Sequence, residues 1–273
     1  MSAGARLSVA TICFDGFGDE DFVPTFELAP QLGVADLEIN AWYGRNLTPS
    51  GLDGLAGRCR HAGLRPATLQ VSPFAPGPDA ADLTREVSRW LWLVEAAHRL
   101  DVGVIKATGS ARDTRGGLSS LVDLLRTIAP VAEQHGLTLV LENHVGNVIE
   151  HPDDYREIFA AVPSSALKVC LDTGHFVASG HDPATVAAEL GERVTHIDLK
   201  DCAGPGPGQF VRFGEGVVDF DAVLAQAITP GWSGFVVVEL PLVDRATVIA
   251  DLQAGVQIAS RHLPPHNNPQ PVT

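Results

Sequence analysis

Four carboxylates in the second half of the chain each come at or near the end of a short apolar run: Glu142, Asp172, Asp198 and Glu239. These runs are rich in the residues that buried strands use. A carboxylate placed where a buried strand emerges is costly unless a positive group meets it. One such residue would be an ordinary loop residue, but four in succession favour a shared site.

Four carboxylates packed together would repel one another and raise each other's pKa unless a cation neutralised them. Oxygen donors favour hard divalent ions. We therefore expect one divalent metal ion, Mn²⁺ before Mg²⁺, with Co²⁺ or Zn²⁺ allowed by the nearby imidazoles. The predicted ligands are Glu142, Asp172, Asp198 and Glu239. The alternative is a proton-sharing carboxylate cluster without metal.

Other polar residues accompany these carboxylates. His144 follows Glu142 by two residues and therefore shares its face of an extended chain, and His175 follows Asp172 by three. We expect His144, His175 and Lys200 to bind the substrate or to support the ligands. Trp42 is a further candidate for covering a sugar ring, as is Phe74, although each could equally be a packing residue.

The elements that must position these residues alternate along the chain. The apolar patterns predict strands at 7–14, 35–41, 65–71, 102–107, 137–142, 167–172, 194–199 and 235–240. Helices are predicted at 21–32, 50–62, 79–100, 116–135, 152–161, 183–190, 220–228 and 245–262. In the long helix, Trp90 and Trp92 are expected to pack rather than to bind.

Strict alternation of strands and helices implies parallel strands with right-handed crossovers. Eight units over roughly 260 residues match a closed (β/α)₈ TIM barrel, whose active sites lie at the C-terminal ends of the strands. An open doubly wound sheet is the alternative, but no glycine-rich phosphate loop follows the first strand. The sequence predicts a single α/β barrel domain over residues 1–262 and a flexible tail over residues 263–273.

At the carboxylate-bearing stretches the sequence resembles the xylose-isomerase-like TIM barrels known as the sugar phosphate isomerase/epimerase family. The resemblance spans roughly residues 7–260 and is carried by LENH (141–144), LDTGH (171–175), HIDLKD (196–201), GEGVVDF (214–220) and VVVEL (236–240). It implies that Glu142, Asp172 and Glu239 bind one divalent metal and that His175 contacts the substrate.

The stretch 196–201 departs from the family pattern. The common form is His-x-His-Leu-Lys-Asp with the second histidine on the metal, and here that position is Asp198. His196 occupies the first histidine position. The depth in the barrel favours Asp198 as the ligand, whereas imidazole chemistry favours His196. A carboxylate here makes the site more anionic and weakens any inference about the substrate.

The resemblance implies an enzyme that isomerises or epimerises a sugar or keto-sugar. Glu142 and Glu239 would be the catalytic residues, abstracting and returning a proton next to a carbonyl through a metal-stabilised ene-diolate. A dehydratase acting on an inosose or dehydroshikimate is the main alternative, because it begins with the same proton abstraction. An AP-endonuclease-like nuclease and a non-catalytic carbohydrate-binding barrel are weaker alternatives.

The net charge and the apolar composition of the chain limit the classes of partner that it can bind. The net charge of −14 opposes nucleic-acid binding, which depends on cationic contacts to phosphates. No apolar run has the length of a membrane span, no signal peptide is evident, and four scattered cysteines without CxxC spacing predict free thiols. We expect a cytoplasmic protein with a small carbohydrate substrate, possible homo-oligomers, and no nucleic-acid or membrane partner. Lys106, Arg112, Arg115 and Arg212 are predicted in or near loops at the active face, which leaves a phosphorylated substrate open.

Overall fold

The structure, a computed structural model, describes residues 4–15, 21–240 and 244–263. Eight parallel strands form a closed barrel: β1 (Arg6–Ala10), β2 (Asp36–Ala41), β3 (Arg65–Val71), β4 (Val104–Thr108), β5 (Thr138–Glu142), β6 (Leu167–Asp172), β7 (Val194–Leu199) and β10 (Phe235–Val238). Around the barrel their order is β1-β10-β7-β6-β5-β4-β3-β2. The chain is therefore a single-domain TIM barrel, as the alternation predicted.

Helices lie between the strands along the chain. They are α1 (Ile12–Asp15), α2 (Val23–Leu28), α3 (Pro49–Ala62), α4 (Ala80–Leu100), α5 (Gly117–Gln134), α6 (Pro152–Ala161), α7 (Thr173–Ala178), α8 (Pro183–Leu190), α9 (Phe220–Ala227) and α10 (Val248–Ser260). A two-stranded antiparallel pair, β8 (Asp201–Cys202) and β9 (Phe210–Val211), follows β7.

The barrel separates an apolar outer layer from a polar interior. All six residues of β2 are buried, and Leu37 and Ile39 belong to the hydrophobic core that the helices cover. The alternate residue Glu38 contacts His196 of β7, a strand that is not its neighbour, so its side chain points into the barrel. The period of two along each strand thus sends one set of side chains to the core and the other to the interior.

Several predicted boundaries were wrong. The first strand ends at Ala10 rather than Phe14, and Ile12–Asp15 form a short helix instead. Cys13 and Phe14 are fully buried in this helix, and an apolar run alone does not distinguish a buried strand from a buried helix. Helix α7 and the β8–β9 pair were not predicted, because each is too short to show a periodic pattern.

The structure also shows the surroundings of the cysteines, of Trp90 and of the first residue of the predicted tail. The four cysteines are buried and free, and Trp90 is buried against Phe74 with ring centroids 4.5 Å apart. Of the predicted tail only Leu263 is described, and it is buried, while residues 264–273 lie outside the described ranges. Within those ranges, no helix combines the length and the apolar character that crossing a bilayer requires.

Candidate active site and metal centre

The four predicted carboxylates meet at the C-terminal end of the barrel. Glu142 and Asp172 are the last residues of β5 and β6, Asp198 is the penultimate residue of β7, and Glu239 directly follows β10. Each offers an oxygen such that all four oxygens lie within 4.8 Å of one another. All four side chains are buried, with at most 6% of any residue exposed. The structure therefore brings together the four side chains predicted as metal ligands.

Two lysines lie among these carboxylates. The Lys106 Nζ atom of β4 is 2.5 Å from Asp198 Oδ2, 3.5 Å from Glu239 Oε2 and 3.8 Å from Glu142 Oε2. The Lys200 Nζ atom is 2.7 Å from Asp172 Oδ2 and 2.8 Å from Glu239 Oε1. Lys106 was predicted in or near a loop at the active face, and the structure places it at the carboxylate cluster, fully buried within strand β4.

A second layer of polar residues lies deeper in the barrel. Glu38 Oε1 is 2.6 Å from the Lys106 Nζ, and its Oε2 is 2.9 Å from His196 Nε2. The same imidazole nitrogen is 3.4 Å from Asp198 Oδ1. The Nε2 atom of His196 therefore lies between two carboxylates. Its Nδ1 atom is buried and forms no hydrogen bond with any described residue, and His196 remains the alternative ligand to Asp198, in a second possible ligand group with Cys170 and Asp198.

Glu142 is held by a chain of amides from the early strands. Gln70 Nε2 of β3 donates to Glu142 Oε2 at 3.0 Å, and Gln70 Oε1 accepts from Asn40 Nδ2 of β2. Asn40 Oδ1 in turn accepts from the Thr11 hydroxyl at 2.9 Å. These bonds fix the orientation of the Glu142 carboxyl group inside the barrel.

The carboxylates differ in their affinity for protons. Burial raises the pKa of Glu142 well above its usual range, an effect that Lys106 opposes and that Asp198 and Glu239 strengthen. Burial also raises the pKa of Asp172, to about 7, although Lys200 opposes it. For Asp198 burial acts in the same direction, but the Lys106 ammonium and His196 outweigh it and hold its pKa well below the usual range. Asp198 thus stays ionised, whereas Glu142 readily takes a proton.

His144 and His175 lie at the rim of this cluster. Their ring centroids are 3.8 Å apart with the ring planes tilted by 33°, and the His175 and Phe210 rings form a T-shaped pair with centroids 4.8 Å apart. Burial lowers the pKa of both imidazoles, and Lys200 adds to this effect. Both are therefore neutral at physiological pH and suited to hydrogen bonding. An atom of His175 also lies close enough to Glu142 and Asp172 to form a ligand group with them.

The two aromatic residues predicted to cover a sugar ring have different surroundings. Phe74 is 1% exposed and stacks on Trp90, so it is a core residue. Trp42 directly follows β2 at the C-terminal end of the barrel and is partly buried. A substrate contact for Trp42 remains a prediction.

The remaining motif residues hold the strand ends together. Asn143 bridges β5 and β6 by accepting from the Asp172 amide at 2.8 Å and donating to its carbonyl at 3.1 Å. The Thr173 hydroxyl donates to the carbonyl of Lys200 at 2.8 Å. A side chain at Gly174 would press against the Lys200 side chain and carbonyl, which explains the glycine. These contacts set the positions from which Asp172 and Lys200 reach the cluster.

The cluster has the properties of a site for a divalent cation. Its donors are carboxylate oxygens, which hard divalent ions prefer. Asp198 Oδ1 and Glu239 Oε2 are buried and accept no hydrogen bond from any described residue, although His196 Nε2 and Lys106 Nζ lie 3.4 and 3.5 Å from them. Buried oxygens without a partner are costly, and a cation between them would remove that cost. The residues therefore fit the divalent metal expected from the sequence, while the identity of the ion stays open.

Sequence reasoning missed Glu38, the Asn40–Gln70 pair and the pairing of Lys106 with carboxylates. All four lie on β2, β3 or β4, whereas the predicted ligands came from the later strands. A signal was present: a lysine stands inside the apolar stretch Val104–Thr108, and Glu38 and Asn40 alternate with apolar residues. A charged residue in the middle of a buried parallel strand points to the barrel interior or to an error in the assignment.

Known proteins resemble this chain in sequence and in structure. An inosose dehydratase from Clostridium beijerinckii is 25% identical over 44% of this chain and 45% of its own length. The chain thus aligns with less than half the length of this curated relative. A crystal structure of IolI protein with a bound zinc atom superimposes with a TM-score of 0.78 at 20% identity, covering 94% of this chain and 99% of that one.

A D-psicose 3-epimerase from Clostridium cellulolyticum H10, solved with D-tagatose, superimposes with a TM-score of 0.76 at 19% identity, covering 94% of this chain and 99% of that one. At such identities the solved structures support the fold alone. Residues 26–263, most of the described chain, match the family described as xylose isomerase-like TIM barrel. The chain belongs to the xylose isomerase-like TIM barrel family.

Proposed function

We propose that this chain is a divalent-cation-dependent enzyme that removes a proton next to the carbonyl group of an uncharged keto-sugar or keto-cyclitol and thereby isomerises or epimerises it. The observation that carries the proposal is the Glu142 carboxyl group. It is buried, its pKa is raised, and it lies beside three other carboxylates whose oxygens could hold a cation. A cation beside Glu142 would favour its ionised form, which is the form that accepts a proton.

Glu142, Asp172, Asp198 and Glu239 would hold the cation, which would act as a Lewis acid toward the substrate carbonyl. The Glu142 carboxylate takes the proton from the carbon next to the carbonyl. The C–H electron pair forms a carbon–carbon double bond, and the carbonyl oxygen becomes negative. The Gln70 amide keeps the Glu142 carboxyl group in one orientation during this transfer.

The proton must return to complete the reaction. Glu239 lies on the strand β10 side of the cluster, 2.8 Å from the Lys200 ammonium, and would return a proton taken up from solvent, while Glu142 would release the proton that it took to solvent. Return to the opposite face of the same carbon gives epimerisation, and return to the neighbouring carbon gives isomerisation. The neutral imidazoles of His144 and His175 are suited to binding substrate hydroxyls.

Three positively charged side chains, Lys200, Arg112 and Arg212, are each paired with protein carboxylates, which supports an uncharged substrate. Lys200 faces Asp172 and Glu239, Arg112 faces Glu150 at 3.0 Å, and Arg212 faces Asp251 at 3.2 Å. A phosphate or carboxylate group on the substrate would have to compete with a protein carboxylate for each of these cations. A hydroxylated ketone without a charged group avoids that competition.

Dehydration is the second candidate. The same carbanion can expel a hydroxyl group from the next carbon, which leaves as water after taking the proton that Glu142 removed. The inosose dehydratase name of the curated relative favours this outcome. Both candidates share Glu142 as the base.

Incubation with ketoses, inososes and their phosphates in deuterated water tests the proposal. Solvent deuterium should enter an unphosphorylated substrate, with a changed sugar for the isomerase or epimerase and with loss of water for the dehydratase. Glu142→Gln should lower this exchange by about 10²-fold or more. Glu192→Gln, an exposed residue between α8 and β7, is the matched control and should retain the activity. Exchange that persists in Glu142→Gln would contradict the assigned base.

A further inference from the structure

Lys106 is placed where it can act on the cluster but not on a substrate. It lies in the middle of β4, is fully buried, and its ammonium lies between Glu38 and Asp198 at 2.6 and 2.5 Å. Lys200, in contrast, lies after β7 beside the rim residue Phe210. Any influence of Lys106 on a bound molecule must therefore pass through the carboxylates that it contacts.

The two carboxylate oxygens of Asp198 have different surroundings. Its Oδ2 is 2.5 Å from the Lys106 ammonium and accepts from the Cys170 thiol at 3.2 Å. Its Oδ1 is buried and accepts no hydrogen bond from any residue that the structure describes. One oxygen is thus neutralised by a lysine, while the other, 3.4 Å from His196 Nε2, can still accept a further positive partner.

We propose that Lys106 and Asp198 act together as a single uncharged ligand of the divalent cation. The Lys106 ammonium cancels the charge of the carboxylate and fixes its orientation, and Asp198 Oδ1 supplies one donor atom, as a neutral imidazole would. The inference rests on the metal site of the proposed function. In this arrangement Lys106 positions Asp198 and sets its effective charge. The affinity for the divalent cation then depends on both residues together.

Mutual dependence of the two residues follows from this arrangement. Removing Lys106 alone leaves Asp198 with an uncompensated charge and should strengthen binding of a divalent ion. Replacing Asp198 alone by histidine leaves the ammonium paired with Glu38 and close to Glu142 and Glu239, so a positive charge that Asp198 no longer offsets should weaken binding. Changing both restores an uncharged ligand, and Glu38 keeps its contact with His196 at 2.9 Å.

Titration of Mn²⁺ into chelator-treated protein, without substrate, measures this dependence by calorimetry. Relative to the unaltered protein, we expect Lys106→Met to bind Mn²⁺ about tenfold more tightly and Asp198→His about tenfold more weakly, as coupled neighbours do. The double variant Lys106→Met/Asp198→His should return to within about threefold of the unaltered protein. Lys168→Met, at the opposite end of the barrel, is the matched control and should bind unchanged.

Equal affinities of Asp198→His and the double variant would overturn the pairing, as would unchanged or weaker binding by Lys106→Met. If Lys106→Met does not fold without metal, the comparison of Asp198→His with the double variant still decides. An unaltered protein that binds no Mn²⁺ would overturn the metal site itself, and with it this inference. Failure of the pairing with Mn²⁺ binding intact would leave the proposed function standing.

Discussion

Glu142 differs from the other carboxylates of the cluster in what it contacts. Asp172, Asp198 and Glu239 each have an oxygen within 2.8 Å of a lysine ammonium, whereas the closest lysine nitrogen to Glu142 is 3.8 Å away. Its Oε2 instead accepts from an uncharged amide, Gln70. Ion pairing keeps a carboxylate ionised and weakens it as a base. The residue without a close ion pair is therefore the one best suited to move a proton.

Gln70→Leu tests the role of that amide. The change removes the donor that orients Glu142 and should lower kcat by about tenfold or more with little change in KM, because a misplaced catalytic group slows the chemical step. Steady-state kinetics of the proposed reaction measures the two constants. Gln134→Leu, at the exposed end of α5, serves as the control. A raised KM with normal kcat would instead place Gln70 on the substrate.

At this scale the sequence predicted part of the site. The carboxylates at the ends of β5 and β6 and directly after β10 could be found because each follows an apolar run, and the structure brings them together with Asp198. The partners of these residues could not be found in the same way. Whether Lys106 pairs with Asp198 depends on a contact across the barrel between residues 92 apart in sequence. No spacing rule along the chain reports such a contact.

Among the elements, the segment after β7 is organised by a single buried carboxylate. Asp201 accepts from the amides of Cys202, Gly214 and Gly216 at 2.8–3.1 Å. The GEG stretch therefore wraps around Asp201 and ties the loop after β9 to the end of β7. Strand β9, which precedes this loop, carries Phe210 into a T-shaped contact with His175. The motif that suggested the family thus has a physical role in shaping the rim.

Gly216→Ala tests this wrapping. A Cβ atom at position 216 would lie against Asp201 Oδ1 and the Cys202 carbonyl, so the loop would have to shift. We expect a loss of about 1–3 kcal/mol in the free energy of unfolding, measured by urea denaturation. Gly54→Ala in α3 meets nothing within 4 Å and should instead stabilise the helix, by up to about 1 kcal/mol. Equal effects of the two substitutions would contradict the close packing.

Helix α8 offers a test of a charged cap. Asp182 precedes the helix and accepts from the amides of Ala184 and Thr185 at 3.2 and 3.1 Å. The Thr185 hydroxyl, together with these amides, lowers the pKa of Asp182 below its ordinary value of 3.8. A lowered pKa in the folded state means that the ionised cap stabilises the protein above pH 3.8 and that this contribution is lost as the pH falls through the folded pKa.

Asp182→Ala should therefore lower the free energy of unfolding by about 1 kcal/mol at pH 7. Asp182→Asn keeps an acceptor oxygen and isolates the effect of the charge, so its difference from the unaltered protein should shrink as the pH falls below 3.8. Urea denaturation between pH 7 and pH 3 measures both differences. A difference for Asp182→Asn that grows toward low pH would contradict the direction of the pKa shift.

The elements themselves were largely predictable where they are long. Strands β3, β6 and β7 and helices α6 and α8 have the predicted bounds, because apolar periodicity and clear helix starts mark them. The end of β1 was not predictable, since Cys13 and Phe14 continue its apolar run and are buried in α1. An apolar run in the sequence indicates that a segment is buried. Whether the buried segment forms a strand or a helix is decided by tertiary packing.

For the molecule as a whole, the barrel interior carries an excess of negative charge. Five buried carboxylates, Glu38, Glu142, Asp172, Asp198 and Glu239, face two buried ammonium groups, Lys106 and Lys200. Such an imbalance in a low-dielectric interior destabilises the fold unless protons or a cation offset it. Cation binding should therefore be linked to the stability of the entire barrel.

Removal of the metal tests this linkage. At a free Mn²⁺ concentration of about 100 times the dissociation constant, binding to the folded state alone adds about 2.7 kcal/mol. The Tm of the chelator-treated protein should therefore rise by roughly 5 °C or more when Mn²⁺ is added, measured by calorimetry.

Asp172→Asn keeps the cap oxygen that accepts from His175 but lacks the ligand charge, so it should lose most of the rise. Asp123→Asn, an exposed residue of α5 paired with Arg126, should keep it. Because the exposed variant lowers the net negative charge by the same amount, a smaller rise in both would point to general electrostatics, whereas loss only in Asp172→Asn ties the stability to the cluster that Glu142 completes.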